Sequence, residues 1–181
     1  MPTGHPILAE FQAACQEYYA CFVFAKGGLK HSSDQLLQSG QSPAGTRVFI
    51  SAEDPTKRKA TATIDKTQLQ KLLTADGHFA DALAKSLLVT IYAEWDEYFR
   101  PRFAASVGAK PSAIRCNLLG DLRHIRNCIV HAKSIITSEH TKLKTLTWTL
   151  TPGPLVITGA MFTQFIELTH ELIVELVPEK P

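Results

Sequence analysis

Apolar residues return at helical spacing in four long stretches of this 181-residue chain, and that rhythm limits it to a helix-on-helix core. The first stretch runs from about Ile7 to Lys26, where Ile7, Phe11, Ala14, Tyr18 and Phe22 share one face. Gly27 and Gly28 are expected to stop it. The second runs from about His78 to Arg100, with Leu83, Leu87, Ile91, Trp95 and Phe99 inside and Glu94, Asp96, Glu97 and Arg100 outside. These four are expected to form a charged outer face with an i,i+3 pair. Pro101 weakens the helix without ending it sharply. The third runs from Ser112, a reasonable N-cap after Pro111, to about Ile136. The fourth starts near Gly159 and carries Phe162, Phe165, Ile166, Leu172, Ile173 and Leu176 to Val177, where Pro178 closes it.

Two shorter patterns interrupt this rhythm. RVFIS and KATATI are β-rich runs around a turn-forming AEDPTKR, so residues 28–64 read as loop plus hairpin insertion. Within them HSSDQLLQSGQSPAG reads as loop with one short helical turn at most. IDKTQLQKLLT follows as a short amphipathic helix, with Asp65 as N-cap and Gln68 placed for a capping box. Further on, TLTWTL alternates strictly, TPGP is a turn and LVIT a return strand, so residues 143–158 are expected to form a second hairpin. The expected fold is one mainly helical domain over 1–181, a bundle of four main helices with two small β-hairpin insertions. No internal repeat or low-complexity segment is present.

Composition narrows the class of protein. Apolar residues make up 45% of the chain, which excludes a disordered one. The formal net charge is +2, so nucleic-acid binding would need a local basic patch. No apolar run approaches the roughly 20 residues that span a bilayer. MPTGHPILAEFQ lacks the basic and apolar regions of a secretory signal. Cys15, Cys21, Cys116 and Cys128 show no CxxC spacing, so free thiols are expected. A soluble cytoplasmic protein without membrane association is the expectation.

The chemistry concentrates in DLRHIRNCIVHAK, residues 121–133. At about 100° per residue, Leu118, Leu122, Ile125, Ile129 and Ile136 fall within a stripe of roughly 60°. His131 lies nearly opposite, with Asn127, His124 and Gly120 within roughly 40° of it. Arg126 flanks this polar face. The core stripe is complete without His131, so that histidine is not a core residue. Gly120 in mid-helix costs about 1 kcal/mol against alanine; either close approach of another helix, such as a symmetry-related copy, compensates, or the glycine is incidental. Histidine moves protons near neutral pH, and arginine neutralises charge developing on a phosphate. Two such helices face to face would carry a sufficient kit for metal-independent RNA cleavage, with the ribose 2′-OH as nucleophile.

The run LRHIRNCIVHAKSII resembles the third-helix signature of the HEPN superfamily, LR-x-x-RN-x-x-VH, and RNCIVH resembles its R-x4-6-H motif. IYAEWDEYFR in the second helix is similar to its counterpart in stand-alone members. The resemblance covers two helices closely and the helical order of most of the chain loosely. It implies an up-and-down helical bundle that forms a homodimer through the motif helices. Many members are metal-independent endoribonucleases of toxin–antitoxin, abortive-infection or phage-defence systems, with an antitoxin or other regulatory protein as partner. By position Arg126 and His131 would be catalytic across the dimer and Asn127 the polar helper. Arg123 and His124 would decorate the surface or bind substrate at the RNA-binding rim. Other members are non-catalytic modules that bind RNA, nucleotide or protein, and that alternative stays open.

A carboxylate of the second helix holding Arg126 is a further reading. His124, Cys128 and His131 project within roughly 60° of one another and are chemically able to bind zinc, but no fourth ligand is evident. No metal and no cofactor is expected.

Overall fold

The computed structural model describes residues 5–38, 45–51, 61–138 and 142–177. It is mainly helical, with three two-stranded antiparallel sheets among the described residues. The elements in order are α1 (Pro6–Gln38), β1 (Arg47–Ile50), β2 (Ala62–Asp65), α2 (Lys66–Leu72), α3 (His78–Glu94) and α4 (Arg100–Ser106). There follow β3 (Ile114–Arg115), α5 (Asn117–His131), β4 (Ile135–Ile136), β5 (Gly153–Pro154), α6 (Gly159–Thr169) and β6 (Glu175–Leu176). Helix α3 is central: it packs on α1, α5 and α6, and α1 also packs on α6. Phe11, Leu88, Ile91, Phe103, Leu122, Ile125, Phe162 and Phe165 fill the core between them.

Helix α1 does not stop at Gly27–Gly28 but continues to Gln38. A Cβ at either glycine would meet nothing within 4 Å, so neither marks a turn or a close approach. The flanking residues keep the helix going through local pairs. Lys30 bridges Asp34 at 2.8 Å, and His31 and Gln35 hydrogen-bond at 3.0 Å. The expected loop at 31–38 is therefore helix, while 39–44 lies outside the described residues. The first hairpin forms as expected, with Arg47 opposite Asp65 and Ile50 opposite Ala62. Its connecting turn lies outside the described residues. Asp65 caps α2 by accepting the Gln68 amide at 3.0 Å.

The second expected helix starts at His78 and runs through Pro101 to Ser106 by way of a π-helical turn, Trp95–Phe99. Proline lacks an N–H and its ring crowds the carbonyl four residues back. A widened turn just before Pro101 absorbs that conflict, with the Arg100 amide bonding the Trp95 carbonyl. Leu83, expected inside, is only half-buried, while Ala84 and Leu88 face the core. The outer-face ion pair is Asp96–Arg100 at 2.6 Å, i,i+4 rather than i,i+3.

The third helix is shorter at both ends than its periodicity suggests. Ile114 and Arg115 are extended because they pair with Leu176 and Glu175, so Cys116 rather than Ser112 precedes the helix. At the other end His131 is the last helical residue, and Ile136 reaches the core from β4.

The second expected hairpin does not form. Residues 145–150 are not a strand, and Gly153–Pro154 pairs instead with Ile135–Ile136. The cause is Asp121, whose carboxylate accepts the amides of Lys144, Thr145 and Leu146 at 2.6–2.9 Å. Those donors are then unavailable to a β ladder. The alternation itself survives: Leu146 and Trp148 are buried, and Thr147 and Thr149 are exposed.

Asp81 holds the return segment in the same way. It accepts the Ile157 amide at 2.6 Å and pairs with Lys85, which donates to the Leu155 carbonyl at 2.6 Å. Helix α6 ends at Thr169, not Val177. Beyond it Leu172 and Val174 are buried while Ile173 and Glu175 are exposed, a strand-like period that leads into β6. Pro178, expected to close the helix, lies outside the described residues.

Candidate functional site

Helix α5 sorts its residues as its angular pattern requires. Leu118, Leu122, Ile125 and Cys128 are buried against the bundle, and Ile129 is half-buried. Gly120, Arg123, His124 and His131 are exposed, and Arg126 and Asn127 half-buried. The three motif residues meet at the C-terminal end of the helix. Arg126 Nη1 donates to Asn127 Oδ1 at 3.1 Å and lies 2.8 Å from His131 Nε2. A guanidinium has donors only, so Nε2 is the acceptor and the imidazole proton of this arrangement sits on Nδ1.

The backbone leaves α5 immediately after His131 in an unusual way. Lys133 and Ser134 both take the left-handed conformation, with φ of 51° and 59°. Each such non-glycine residue costs on the order of 1–2 kcal/mol. Returning hydrogen bonds hold them: the Ser134 amide reaches the Cys128 carbonyl at 3.0 Å and the Leu155 amide reaches Ser134 at 2.7 Å. The histidine therefore stands at a tightly turned chain exit rather than on a fraying end.

Asn127 and His131 open onto a broad groove of about 740 Å³ together with Gly120, Arg123, His124 and Lys142. The substrate-rim candidates Arg123 and His124 thus share the groove with two of the motif residues. Tyr92, from α3, sits close enough to Arg123, Arg100 and Arg126 to feel all three charges. Its hydroxyl is pushed above the usual phenol range, first by burial and then by Asp96, against those arginines. Two carboxylates of the second helix are committed elsewhere: Glu94 accepts from Tyr18 at 2.5 Å and Asp96 pairs with Arg100. Neither holds Arg126.

The described residues do not assemble a zinc site on His124, Cys128 and His131. Cys128 is buried, and burial raises its thiol pKa, whereas His124 and His131 are exposed. Among the described residues no group of three or more His, Cys, Asp or Glu side chains could hold a metal. All four cysteines are free thiols. Nor is any helix among the described residues long and apolar enough to cross a membrane.

The sequence reading missed Arg115, Lys142, Lys144 and Asp121. The two lysines directly precede the TLTWTL run, and that basic pair is the only signal in the sequence. Nothing in the sequence alone brings them to α5, because the Asp121–amide bonds that do so link residues over 20 positions apart. No protein-family model, characterised protein or solved structure matches this chain.

Proposed function

We propose that this chain is a metal-independent endoribonuclease of HEPN type that works as a homodimer through the exposed face of α5. The observation that carries this reading is the convergence of Arg126, Asn127 and His131 beside a groove with further cationic side chains. In this reading His131 Nε2 takes the proton of a ribose 2′-OH, and the 2′-oxygen attacks the adjacent phosphorus. The bond to the 5′-oxygen breaks, leaving a 2′,3′-cyclic phosphate and a 5′-hydroxyl. Arg126 neutralises the phosphorane, and the leaving oxygen takes its proton from the histidine of the second copy.

The resting contact adds a condition. While Arg126 donates to Nε2, the base lone pair is occupied. A substrate phosphate that draws the guanidinium onto itself frees that lone pair, so substrate binding and activation of the base are coupled. Such enzymes serve as toxins or phage-defence effectors, whose partners are RNA and an antitoxin or regulatory protein.

The same occupied lone pair favours a second reading, a non-catalytic module that uses Arg126 to grip RNA, nucleotide or a protein partner. Incubation with mixed RNA in EDTA separates the two. The wild type should yield cyclic-phosphate ends and His131→Ala should not. Equal cleavage by both, or none by either, sinks the nuclease reading. Sedimentation should show a dimer.

A further inference from the structure

A second concavity, of about 240 Å³, opens at the other end of α5. It is lined by Arg100 next to the π turn, Arg115 of β3, Arg123 of α5, and Lys142 and Lys144 of the following segment. Among the described residues the one carboxylate in its lining is Asp121, which is buried and spends its oxygens on three backbone amides. Arg115, Arg123, Lys142 and Lys144 have no carboxylate partner among the described residues. Arg100 pairs with Asp96 through Nη2, yet its Nε is buried with no acceptor among the described residues. A buried donor without a partner is rare in native proteins and is open to an acceptor from outside the chain, water or anion. The wall is apolar, formed by Tyr92, Trp95, Ile114 and Leu119.

The cavity is smaller than the roughly 300–1,000 Å³ clefts that hold drug-sized molecules, so it suits a phosphate with part of its sugar. It also joins the motif groove, because Gly120, Arg123, His124 and Lys142 line both. From Gly120 to His131 the helix rises about 16 Å. A lone phosphate cannot touch both ends of that path, whereas a chain of phosphates can.

We propose that this cavity is a backbone-phosphate subsite for an RNA strand, seating a phosphate remote from the one that is cut at Arg126 and His131. The strand's identity as RNA rests on the ribonuclease reading, and the anion site does not. Arg115, Lys142 and Lys144 grip the strand without touching the reacting atoms, and Asp121 positions Lys144 by holding its amide.

The test uses a fluorescein-labelled 2′-O-methyl RNA decamer, which resists cleavage, and reads binding by anisotropy across a salt series. Arg115→Gln/Lys144→Gln should weaken binding about tenfold or more and lower the slope of log K against log salt by roughly 0.7–1.4, one to two phosphate contacts on a single strand. Lys142→Glu should do the same. All three positions are exposed, so folding is retained. Lys71→Gln, an exposed lysine on α2, should change nothing. Wild-type affinity and slope in the cavity variants, or no binding by the wild type, overturns the subsite. Displacement of the decamer by micromolar nucleoside monophosphate or inorganic phosphate also overturns it, in favour of a free-nucleotide or phosphate site. If the wild type cuts no RNA but the cavity variants still lose binding, the nuclease reading fails and the subsite stands.

Discussion

Arg126 and His131 lie five residues apart on one helix and meet at 2.8 Å between Nη1 and Nε2. Because the guanidinium has no lone pair to offer, the contact selects the imidazole tautomer that is protonated at Nδ1. Long-range ¹⁵N–¹H correlation spectra of the wild type above neutral pH should show His131 with a protonated Nδ1 and a bare Nε2. Arg126→Ala should shift it toward the Nε2–H form that free histidine prefers. A wild-type ring already protonated at Nε2 would remove the contact from the solution structure, and with it the coupling between phosphate binding and base release.

At the start of α5 and in the TLTWTL run, sequence periodicity and structure part because of a long-range contact. The faces of α5 follow from 3.6-residue geometry, so Leu122 and Ile125 fall inside and His124 and His131 outside without any knowledge of the fold. The start of the same helix does not follow, because Ile114–Arg115 is held extended by residues 175–176. Alternation in TLTWTL correctly sorts Leu146 and Trp148 inward, yet a period of two fixes only the side-chain faces, and Asp121 takes the amides that pairing needs. The motif trio was legible because it lies within six residues. The cationic cavity was not, since its residues come from three separate stretches of the chain, 92–100, 114–124 and 142–144.

Asp121 should be the most sensitive polar residue outside the motif. It is 2% exposed and accepts four hydrogen bonds from three consecutive amides. Asp121→Asn replaces one oxygen by a donor that faces those amides. Hydrogen bonds to charged groups contribute about 1.5–3 kcal/mol each and an orphaned buried donor costs a similar amount. A loss of about 3 kcal/mol in urea unfolding is expected, together with faster hydrogen exchange at residues 144–146. A change below about 0.5 kcal/mol would mean that the segment is held by Leu146 and Trp148 alone.

Stability should fall on the alkaline side. Glu94, by hydrogen bonding, holds the Tyr18 hydroxyl protonated up to about 12, aided by burial. Burial pushes the Cys15 thiol to about 12, with Glu94 adding to it, and the Cys116 thiol to about 11 against the amides of Leu119 and Leu118. In each case the folded pKa lies above the unfolded one. The stabilisation is therefore complete below about pH 9, and it is lost as pH rises through the window up to 11–12, where the unfolded chain releases its protons first. Urea melts at successive pH values should show this decline, and Tyr18→Phe should flatten the part above about pH 10. Equal slopes for wild type and variant would show that the Tyr18–Glu94 bond does not persist in solution.

Gly120 should separate stability from function. It stands in the first turn of α5, on its exposed face, and a Cβ there would meet nothing within 4 Å. Gly120→Ala should therefore stabilise the fold by about 0.5–1 kcal/mol, as helix propensity alone predicts. Gly28→Ala, equally unobstructed in α1, should do the same. The two differ in what lies over them: Gly120 lines both the motif groove and the cationic cavity, and Gly28 lines neither. A methyl group at position 120 stands where the strand, or the second copy of α5, must approach. RNA cleavage should drop about tenfold or more, the order of loss expected when a substrate is displaced by up to about 1 Å. Gly28→Ala should leave cleavage unchanged. If Gly120→Ala raises the melting temperature and keeps full activity, nothing passes close over that position, and neither the strand path nor the α5–α5 contact can run across it.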